Sequence, residues 1–577
     1  MYDRNAIIYP VVSAASFRRQ GAFSFFMAGI ASQGDAFPNQ KQRFRCGFSD
    51  FVDENRIQEE ERLYSSVTTA IVHGICSIPV FVEADVSDGM PMFEMVGFLA
   101  SEVKESKERV RTALKNSGFR LPPKRITVNF TPANIRKSGS GFDLPVAVAV
   151  LAALGEVKEA ALKETLILGE VGLNGDIKPV NGILPMVWEA RERGFRRCLV
   201  PKENEKEAGL VCGMEICGTG SIAQAVKILN GDEYPKASAI YNIEETGRIQ
   251  KQPDFGEVYG QRLGKRACEV AVSGMHNLLL IGPPGAGKTM LASRLPSILP
   301  PLDEGEAMEL SKIYSVSGLF PKGESLMRVR PFRAPHHTVT LQGLAGGGSI
   351  PKPGEISLAH KGVLFLDELP EFQKSTLEIL RQPMEEKKIS LVRLNGNFEY
   401  PADFMLVAAM NPCKCGYYPD MQKCTCTKNS IGHYLGKISR PLLDRIDICA
   451  ETAGLSFGEL KKKGKEESSA VIRKRVEAAQ QIQKERYRGE DFSYNSQIPA
   501  GRMEEFCPLT AVQEKYMEQI YRRLELTARS YHKILKVART LADMEGSEVI
   551  LDRHLNEAVC YRSVDRKYWE NREGGRA

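Results

Sequence analysis

The chain has 577 residues, more than one hydrophobic core accommodates, and this length predicts two to four domains. Its net charge of +6 is too small to establish a nucleic-acid partner by itself. The longest apolar run, Leu144–Leu154, is too short to cross a bilayer. Thirteen cysteines, an odd number in a large chain, favour reduced thiols over a disulfide framework. The chain begins without the apolar core of a secretory signal, so we expect a cytoplasmic protein with no membrane segment.

Residues 1–62 differ in pattern from the rest of the chain. Gln, Arg, Phe and Ser alternate there without a helical or strand period, and the segment ends in a charged run. We interpret it as a disordered extension. Because well-patterned sequence begins abruptly at Leu63, we hypothesise that this segment is not natively translated. A native protein whose measured mass begins at Met1 would contradict that hypothesis.

Residues 63–230 alternate short β-rich runs with helix-like stretches, which is typical of an α+β domain. The predicted elements are a strand in Val80–Val86, a helix over Ser101–Ser117, a strand at Arg125–Phe130, a buried helix after Asp143 and a strand at Thr165–Leu168.

Three stretches of this domain resemble the proteolytic domain of Lon and the related domain of the DNA-repair ATPase RadA: Lys137–Pro145, Gly169–Gly175 and Val200–Asn204. The resemblance implies a Lon-protease-like, ribosomal S5 domain 2-like fold. Lon-type proteases activate a serine with a lysine, and in an ungapped reading those positions fall on Gly141 and Leu184. Ser140 lies one residue away from the first position, but Leu184 cannot deprotonate it. We therefore expect a binding or assembly role rather than proteolysis.

A polar linker over residues 231–253 leads to a phosphate-binding pattern. The apolar run Leu278–Ile281 suits a buried parallel strand, and the glycine-rich turn after it lets backbone N–H groups surround a phosphate. Lys288 would reach the β- and γ-phosphates, and the Thr289 hydroxyl would bind Mg²⁺. The predicted nucleotide-binding residues of this turn are Gly282, Pro283, Pro284, Gly285, Ala286, Gly287, Lys288 and Thr289.

Two further apolar strands end in polar side chains suited to ATP hydrolysis. The run Gly362–Leu366 is followed by Asp367, which could hold Mg²⁺, and by Glu368, which could orient and deprotonate the attacking water. The second predicted strand, Phe404–Ala408, leads to Asn411, which could contact the γ-phosphate or that water. The order of these motifs predicts a functional ATPase.

These motifs resemble those of AAA+ ATPases, and the resemblance implies further site residues. A segment of the type Asp254–Gln261 lines the adenine pocket in that class, which assigns Gln261 to the nucleotide. The segment Ser439–Asp447 resembles the arginine-finger segment of magnesium chelatases and MCM helicases, in which Arg445 would reach the ATP of a neighbouring subunit. Such a finger implies a ring, most simply a hexamer.

A helix with an apolar period is predicted after Thr527, and two of its arginines are candidates for a second sensor of the γ-phosphate. Arg529 lies at the start of this helix, as the analogous MCM residue does, and Arg539 is the alternative. We prefer Arg529.

A long insertion precedes the acidic strand and contains the adjacent pair His336 and His337. We favour a structural interpretation of this pair over metal binding, because no third ligand lies at a helical spacing.

A hairpin is predicted over Ile389–Tyr400, because Asn-Gly separates two strand-like runs. Its position is that of the DNA-contacting hairpin in MCM-type motors.

Three basic residues of this hairpin region could touch DNA phosphates, although a solvated charged strand would look alike. These residues are Lys387, Lys388 and Arg393.

Four cysteines occur as two Cys-x-Cys pairs separated by a short polar loop: Cys413, Cys415, Cys424 and Cys426. Four thiolates on one loop could close a tetrahedral zinc site that stiffens the segment between Asn411 and Arg445. Four free thiols remain an equal alternative, and an iron–sulfur cluster is a third.

From about residue 63 to its end, the chain resembles the ComM/YifB family of magnesium-chelatase-like AAA+ ATPases. The resemblance rests on the order of the Lon-like domain, the phosphate loop, the Arg330–His337 motif and Leu442–Arg445. It implies a hexameric ring that uses ATP and Mg²⁺, translocates on single-stranded or branched DNA, and drives branch migration in recombination and natural transformation. It also implies an AAA+ core over 254–460 and a helical lid over 461–577.

Two other functions compete with a DNA motor. The shared core also fits the ATPase subunit of a magnesium chelatase, although the Lon-like domain argues against it. A Lon-like protease or ATP-dependent protein remodeller is the other alternative, and the missing serine–lysine pair weakens it.

Overall fold

A computed structural model describes residues 63–233, 253–321, 326–394, 396–454 and 466–569. The predicted extension lies outside these ranges, and so do most of the predicted linker and the predicted boundary between the core and the C-terminal domain. None of the helices in the described ranges has both the length and the apolar character that crossing a membrane requires.

The described chain begins with a seven-stranded mixed sheet and its helices. In chain order the elements are β1 (Tyr64–His73), β2 (Cys76–Ser87), β3 (Met92–Val96), α1 (Ser101–Asn116), β4 (Arg125–Thr131), α2 (Asp143–Ala153), β5 (Thr165–Ile167), β6 (Glu170–Val171), β7 (Ile177–Lys178), α3 (Ile183–Glu192), β8 (Arg197–Pro201), α4 (Glu205–Ala208), β9 (Glu215–Thr219) and α5 (Ile222–Asn230). The strand order is β3-β4-β2-β1-β5-β8-β9, and β6 pairs with β7 separately.

These elements confirm the strands and helices predicted between residues 63 and 230. The helix α2 is apolar on every side, and it is buried because it packs on β1, β2 and α1. Its one charged residue, Asp143, is buried and receives a hydrogen bond of 3.0 Å from the Arg109 guanidinium. The mixture of antiparallel and parallel strand pairs is that of an α+β domain.

A second, five-stranded sheet follows, with helices and two small hairpins around it. Its elements are α6 (Arg262–Gly274), β10 (Leu278–Ile281), α7 (Lys288–Arg294), α8 (Glu304–Ser317), β11 (Phe332–Arg333), α9 (Leu341–Ala345), β12 (Gly346–Gly347), β13 (Lys352–Pro353), α10 (Glu355–Leu358), β14 (Val363–Leu366), α11 (Lys374–Glu378), α12 (Arg381–Glu386), β15 (Lys388–Arg393), β16 (Gly396–Pro401), β17 (Met405–Met410), α13 (Lys428–Leu435), α14 (Arg440–Leu443) and β18 (Ile448–Glu451).

This second sheet is parallel and has the order β11-β14-β17-β10-β18. The four longer strands are buried along their length, apart from the last residue of β18, and this explains their continuous apolar sequence. Because the strands run in one direction, their carboxyl ends share one edge and their amino ends share the opposite edge. The residues after β10, β14 and β17 therefore meet at the carboxyl edge.

Five helices form the described C-terminal part: α15 (Ser469–Arg486), α16 (Met503–Phe506), α17 (Ala511–Arg523), α18 (Ala528–Met544) and α19 (Asp552–Trp569). The buried apolar stripe of α18, which includes Ile534 and Leu541, confirms the predicted helical period. This stripe joins the core that contains β10 and α6. The last residues of α19, Tyr568 and Trp569, pack on the other face of the sheet.

The first domain contacts the second at specific points. The Trp188 ring is 4.1 Å from Arg191 on its own helix and 4.1 Å from the Lys312 ammonium of α8. The turn between β1 and β2 reaches the β15–β16 hairpin, where the His73 and Phe398 rings stack with centroids 4.4 Å apart. The two domains are therefore joined both at α8 and at the hairpin.

Candidate functional site

The phosphate loop connects β10 to α7 and is shaped by its glycines. Gly285 and Gly287 have positive φ angles of 75° and 76°, which side chains disfavour. A side chain at Gly282 would place its Cβ 2.2 Å from the Thr452 hydroxyl, so only glycine fits between the two strands there. The loop therefore has the backbone geometry that its sequence predicts.

The Lys288 ammonium lies at this loop and is held by three oxygens. It donates to the carbonyls of Gly282 at 2.8 Å and Pro283 at 2.9 Å, and to the Asn411 side-chain oxygen at 2.9 Å. Burial lowers the pKa of Lys288. Asn411 follows β17, so the lysine and the asparagine meet because their strands are neighbours in the sheet.

Two oxygens suited to Mg²⁺ lie beside them. The Thr289 hydroxyl donates to Asp367 at 2.6 Å, and the structure thus brings together the two residues predicted to hold the metal. Both side chains lie at the carboxyl edge. Glu368 follows with a positive φ of 51°, an uncommon conformation for a residue with a side chain.

His337 lies against Glu368, a contact that sequence reasoning missed. Its Nδ1 is 3.6 Å from the Glu368 carboxylate, and its ring is 4.0 Å from that of His336. Among the described residues, the group of histidine, cysteine and acidic side chains that could share a metal ion consists of the four cysteines and includes neither histidine. The structure thus gives the histidine pair a position beside the predicted catalytic base, although a long stretch of sequence separates them.

Gln261 precedes α6, and its side-chain amide donates to the Ala453 carbonyl at 2.6 Å. Ala453 follows β18, so Gln261 also lies toward the carboxyl edge. Gly264, one turn along α6, faces α7: a Cβ there would be 2.7 Å from Leu291. The residue predicted to contact the adenine therefore lies near the helix that begins at Lys288.

Arg445 lies at the opposite, amino edge of the same sheet. Its carbonyl accepts a hydrogen bond of 2.9 Å from Asn277, the residue before β10. Its guanidinium is paired with Glu385 at 2.6 Å and also donates to the carbonyls of Arg381 and Pro441. The full length of β10 separates Arg445 from the phosphate loop of its own chain.

Arg529 shares that amino edge. It begins α18, is exposed, and lines a cavity of about 820 Å³ together with Arg445. The alternative, Arg539, is buried, pairs with Asp543 at 3.0 Å and donates to the carbonyls of Ser547 and Glu548. The contacts of Arg539 therefore fix the end of α18 to the turn that follows it, whereas Arg529 is exposed to the cavity.

The three predicted DNA contacts lie in different surroundings. Lys387 precedes the hairpin and pairs with Asp403 at 2.5 Å, while Lys388 pairs with Glu399 at 3.0 Å. Arg393 is exposed at the tip, where its guanidinium donates to the Val392 carbonyl at 3.0 Å. The antiparallel pairing of β15 with β16 confirms the predicted hairpin, although Asn395 of its turn lies outside the described residues.

The sulfurs of the four cysteines that follow Asn411 lie close together. All four lie within 4.8 Å of one another, and Cys413, Cys415 and Cys424 are separated by 3.3–3.7 Å. Burial raises the pKa of Cys415, but hydrogen bonds from the backbone and from neighbouring thiols outweigh it and lower the pKa to about 6. Burial raises the pKa of the neighbouring Cys424 to about 12, so the close approach of the four sulfurs is the observation that favours metal binding.

In the first domain, no serine–lysine pair occupies positions 141 and 184, which correspond to the catalytic pair of Lon-type proteases in the ungapped reading. Gly141 has no side chain, and Leu184 is fully buried in an apolar cluster. The Ser140 hydroxyl donates to the Glu170 carboxylate. This arrangement differs from the one a Lon-type protease uses.

Comparison with known proteins covers nearly all of the described chain. Family models described as "Magnesium chelatase, subunit ChlI", "Subunit ChlI of Mg-chelatase" and "Magnesium chelatase, subunit ChlI C-terminal" match residues 254–460, 82–204 and 466–562. The "Uncharacterized protein YifB" of Escherichia coli is 42% identical over 506 residues, which cover 87% of this chain and 97% of that protein. The "Competence protein ComM" of Haemophilus influenzae is 40% identical over 498 residues, covering 85% and 96% of the two chains.

The chain belongs to the ComM/YifB family of magnesium-chelatase-like proteins. The resemblance stated from the sequence is thereby confirmed. A Lon protease of Roseiflexus castenholzii is more distant: it is 29% identical over 202 residues, which cover 32% of this chain and 24% of that protein. Membership in the ComM/YifB family supports an AAA+ type of ATPase that uses ATP and Mg²⁺.

Proposed function

We propose that this chain is an ATP-hydrolysing motor that assembles into a ring, most simply a hexamer, with ATP bound between subunits. The observation that carries the proposal is the division of the predicted site between two edges of one sheet. Lys288, Asp367 and Asn411 lie at the carboxyl edge, and Arg445 and Arg529 lie at the amino edge. A ring would bring the amino edge of one subunit to the nucleotide of the next.

In such a ring each residue has a defined task. Lys288 and the loop bind the β- and γ-phosphates, and Thr289 with Asp367 binds Mg²⁺. Glu368 orients and deprotonates the attacking water. Arg445 would exchange Glu385 for the phosphates of the neighbouring nucleotide, where a guanidinium stabilises the charge that develops during transfer. Arg529 would act as the second sensor, and helices α15–α19 would form the lid.

We further propose that the motor moves on single-stranded or branched DNA and promotes branch migration during recombination and natural transformation. Two observations support this. The exposed Arg393 lies at the tip of the β15–β16 hairpin, which directly precedes β17 and Asn411. A 40% identical relative is named "Competence protein ComM". The Lon-like domain would serve assembly or binding, because Gly141 and Leu184 replace the catalytic pair.

We also propose a structural zinc ion on Cys413, Cys415, Cys424 and Cys426. The convergence of the four sulfurs supports this over free thiols.

The rate of ATP turnover by the purified chain, with and without DNA, tests the proposed function. We expect single-stranded or junction DNA to raise the rate several-fold at low salt, where phosphate contacts are strongest. Protoporphyrin with Mg²⁺ should leave it unchanged. The Lys288→Ala variant is the control and should lose hydrolysis in every condition. A rate that responds to porphyrin and not to DNA would favour the magnesium-chelatase ATPase, whose subunit the family models describe.

A further inference from the structure

We infer that zinc bound to the four cysteines holds the cysteine loop against the phosphate loop, and that loss of the zinc lowers the affinity of the site for nucleotide. We call the cysteine loop held in this way the brace. The inference rests on the proposed ATP site and extends it to a second site, formed by residues 413–426. These residues begin shortly after Asn411 and end before α13.

The sulfur positions are those of ligands that share one ion. A tetrahedral ion with Zn–S bonds of about 2.3 Å requires sulfurs about 3.8 Å apart. The separations are 3.3 Å for Cys413 and Cys415, 3.7 Å for Cys413 and Cys424, and 3.5 Å for Cys415 and Cys424. A disulfide needs sulfurs about 2.05 Å apart, so none of these pairs is oxidised.

The loop between the two cysteine pairs is already folded to present them. The Tyr418 N–H points at the Cys413 sulfur at 3.4 Å, a contact typical of metal-bound thiolates. Turn hydrogen bonds run from the Gly416 N–H to the Cys413 carbonyl at 3.0 Å and from the Cys424 N–H to the Asp420 carbonyl at 2.8 Å. A bound ion would therefore link four sulfurs that the backbone of this loop already holds close together.

The same loop lies directly on the phosphate loop. Gly416 has a φ of 86°, and a Cβ on it would be only 2.2 Å from Cδ of Pro284. At the start of the segment, Asn411 accepts the hydrogen bond from the Lys288 ammonium at 2.9 Å. The cysteine loop thus touches the phosphate loop at Pro284, and Asn411, two residues before Cys413, contacts Lys288.

On its other side the loop is anchored to the end of the chain. The Tyr418 ring meets the Tyr568 ring edge-on, with centroids 6.0 Å apart, and Tyr568 donates to Glu451 at 2.6 Å. The brace is therefore fixed to α19 and β18. Without an ion the four sulfurs lose their common link, and Pro284 and Asn411 lose the support behind them.

Zinc content and nucleotide affinity of the full-length chain test this inference. The chain is purified without chelators, zinc is measured by mass spectrometry, and binding of a fluorescent ATP analogue is titrated. We expect about one zinc per chain for the wild type. The Cys424→Ser/Cys426→Ser variant should lose the metal and bind the analogue at least about tenfold more weakly. The Cys212→Ser/Cys560→Ser variant, which changes two exposed cysteines, is the matched control and should keep both properties.

A second variant separates the metal from the brace. Gly416→Ala retains all four ligands and should bind zinc fully, yet its methyl group would displace Pro284 and weaken nucleotide binding. Any one of three results would overturn the inference. The wild-type chain contains no metal, the metal-free cysteine variant binds nucleotide with wild-type affinity, or the Gly416→Ala variant does so. A wild-type chain that binds no nucleotide would refute the proposed function as well. DNA is absent from the assay, so failure of the DNA proposal leaves the result unaffected.

Discussion

Asp447 is the residue through which the segment that carries Arg445 is fixed to the sheet. Its carboxylate accepts the Asn277 N–H at 3.0 Å, lies 3.1 Å from the Lys533 ammonium and 3.7 Å from His276. Burial alone would raise the pKa of Asp447, but the charge of Lys533 and the contact with His276 outweigh it and hold the pKa well below its usual range. Since Arg445 is two residues before Asp447, these contacts also help to position Arg445.

Replacing Asp447 with alanine should strongly destabilise the second domain. Lys533 would remain buried without its counter-charge, which typically costs about 3–5 kcal/mol. We expect a lower urea midpoint, followed by a probe in the C-terminal helices. Asp491→Ala, which removes an exposed carboxylate from the same cavity, should change stability by no more than about 0.5 kcal/mol. Equal midpoints for the two variants would refute the role given to Asp447.

The stabilisation by Asp447 should also depend on pH in a defined direction. A carboxylate whose pKa is lower in the folded chain stabilises it above the unfolded pKa and loses this effect as the pH falls through the folded value. The wild type and the Asp447→Ala variant should therefore approach each other in stability at acidic pH. Urea unfolding of both chains at several pH values measures this, and a stability difference that widens with acidification would contradict it.

Among the elements, the β15–β16 hairpin is held on two sides, and Arg393 near its tip is exposed. The His73 ring of the first domain stacks on Phe398, and a Cβ on Gly74 would be 2.7 Å from the Glu399 carbonyl. Tyr400 donates from its hydroxyl to the Pro351 carbonyl at 2.6 Å. The first domain therefore contributes to the position of the hairpin, whatever else it binds.

Arg393 should carry more of the DNA response than Lys388. Lys388 already forms an ion pair with Glu399, whereas Arg393 is the last residue of β15 and its side chain is exposed to solvent. We expect Arg393→Ala to weaken DNA binding across sequences and to lower the slope of log affinity against log salt by about 1. Lys388→Ala is the matched control and should change the slope little. Binding isotherms at several salt concentrations measure both, and a larger effect of Lys388→Ala would contradict this assignment.

The hairpin also illustrates what the sequence could predict. Its existence follows from a local rule, because Asn-Gly between alternating runs favours a tight turn. The pairing of Lys387 with Asp403 and the stacking of His73 on Phe398 are tertiary contacts, and no local pattern specifies them. Counting basic residues along the strand therefore overstates the number of unpaired cations at this site.

At the scale of the whole molecule, the order of the motifs is predictable from the sequence, whereas several of their contacts in space are not. Lys288, Asp367 and Asn411 each follow an apolar run, and parallel strands then bring them together. The approach of His337 to Glu368 depends on the path of a long insertion, which has no periodic pattern. The same holds for the contact of Gly416 with Pro284.

The division of the site predicts that one chain alone hydrolyses ATP poorly. The cavity with Arg445 and Arg529 and the phosphate loop are on opposite edges. In the proposed ring a complete site therefore needs two copies of the chain. A variant defective at one edge should therefore be rescued by a variant defective at the other.

Mixing Glu368→Gln with Arg445→Ala subunits tests whether the ATP site is shared between neighbouring subunits. Each variant alone should be nearly inactive. In rings mixed randomly from equal amounts of the two variants, about a quarter of the interfaces pair an intact Glu368 with an intact Arg445, and independent sites should then recover about a quarter of the wild-type rate. Native mass spectrometry confirms that the subunits mix. Activity well above the sum of the separate variants supports a shared site, whereas mixed rings with no recovered activity would contradict it.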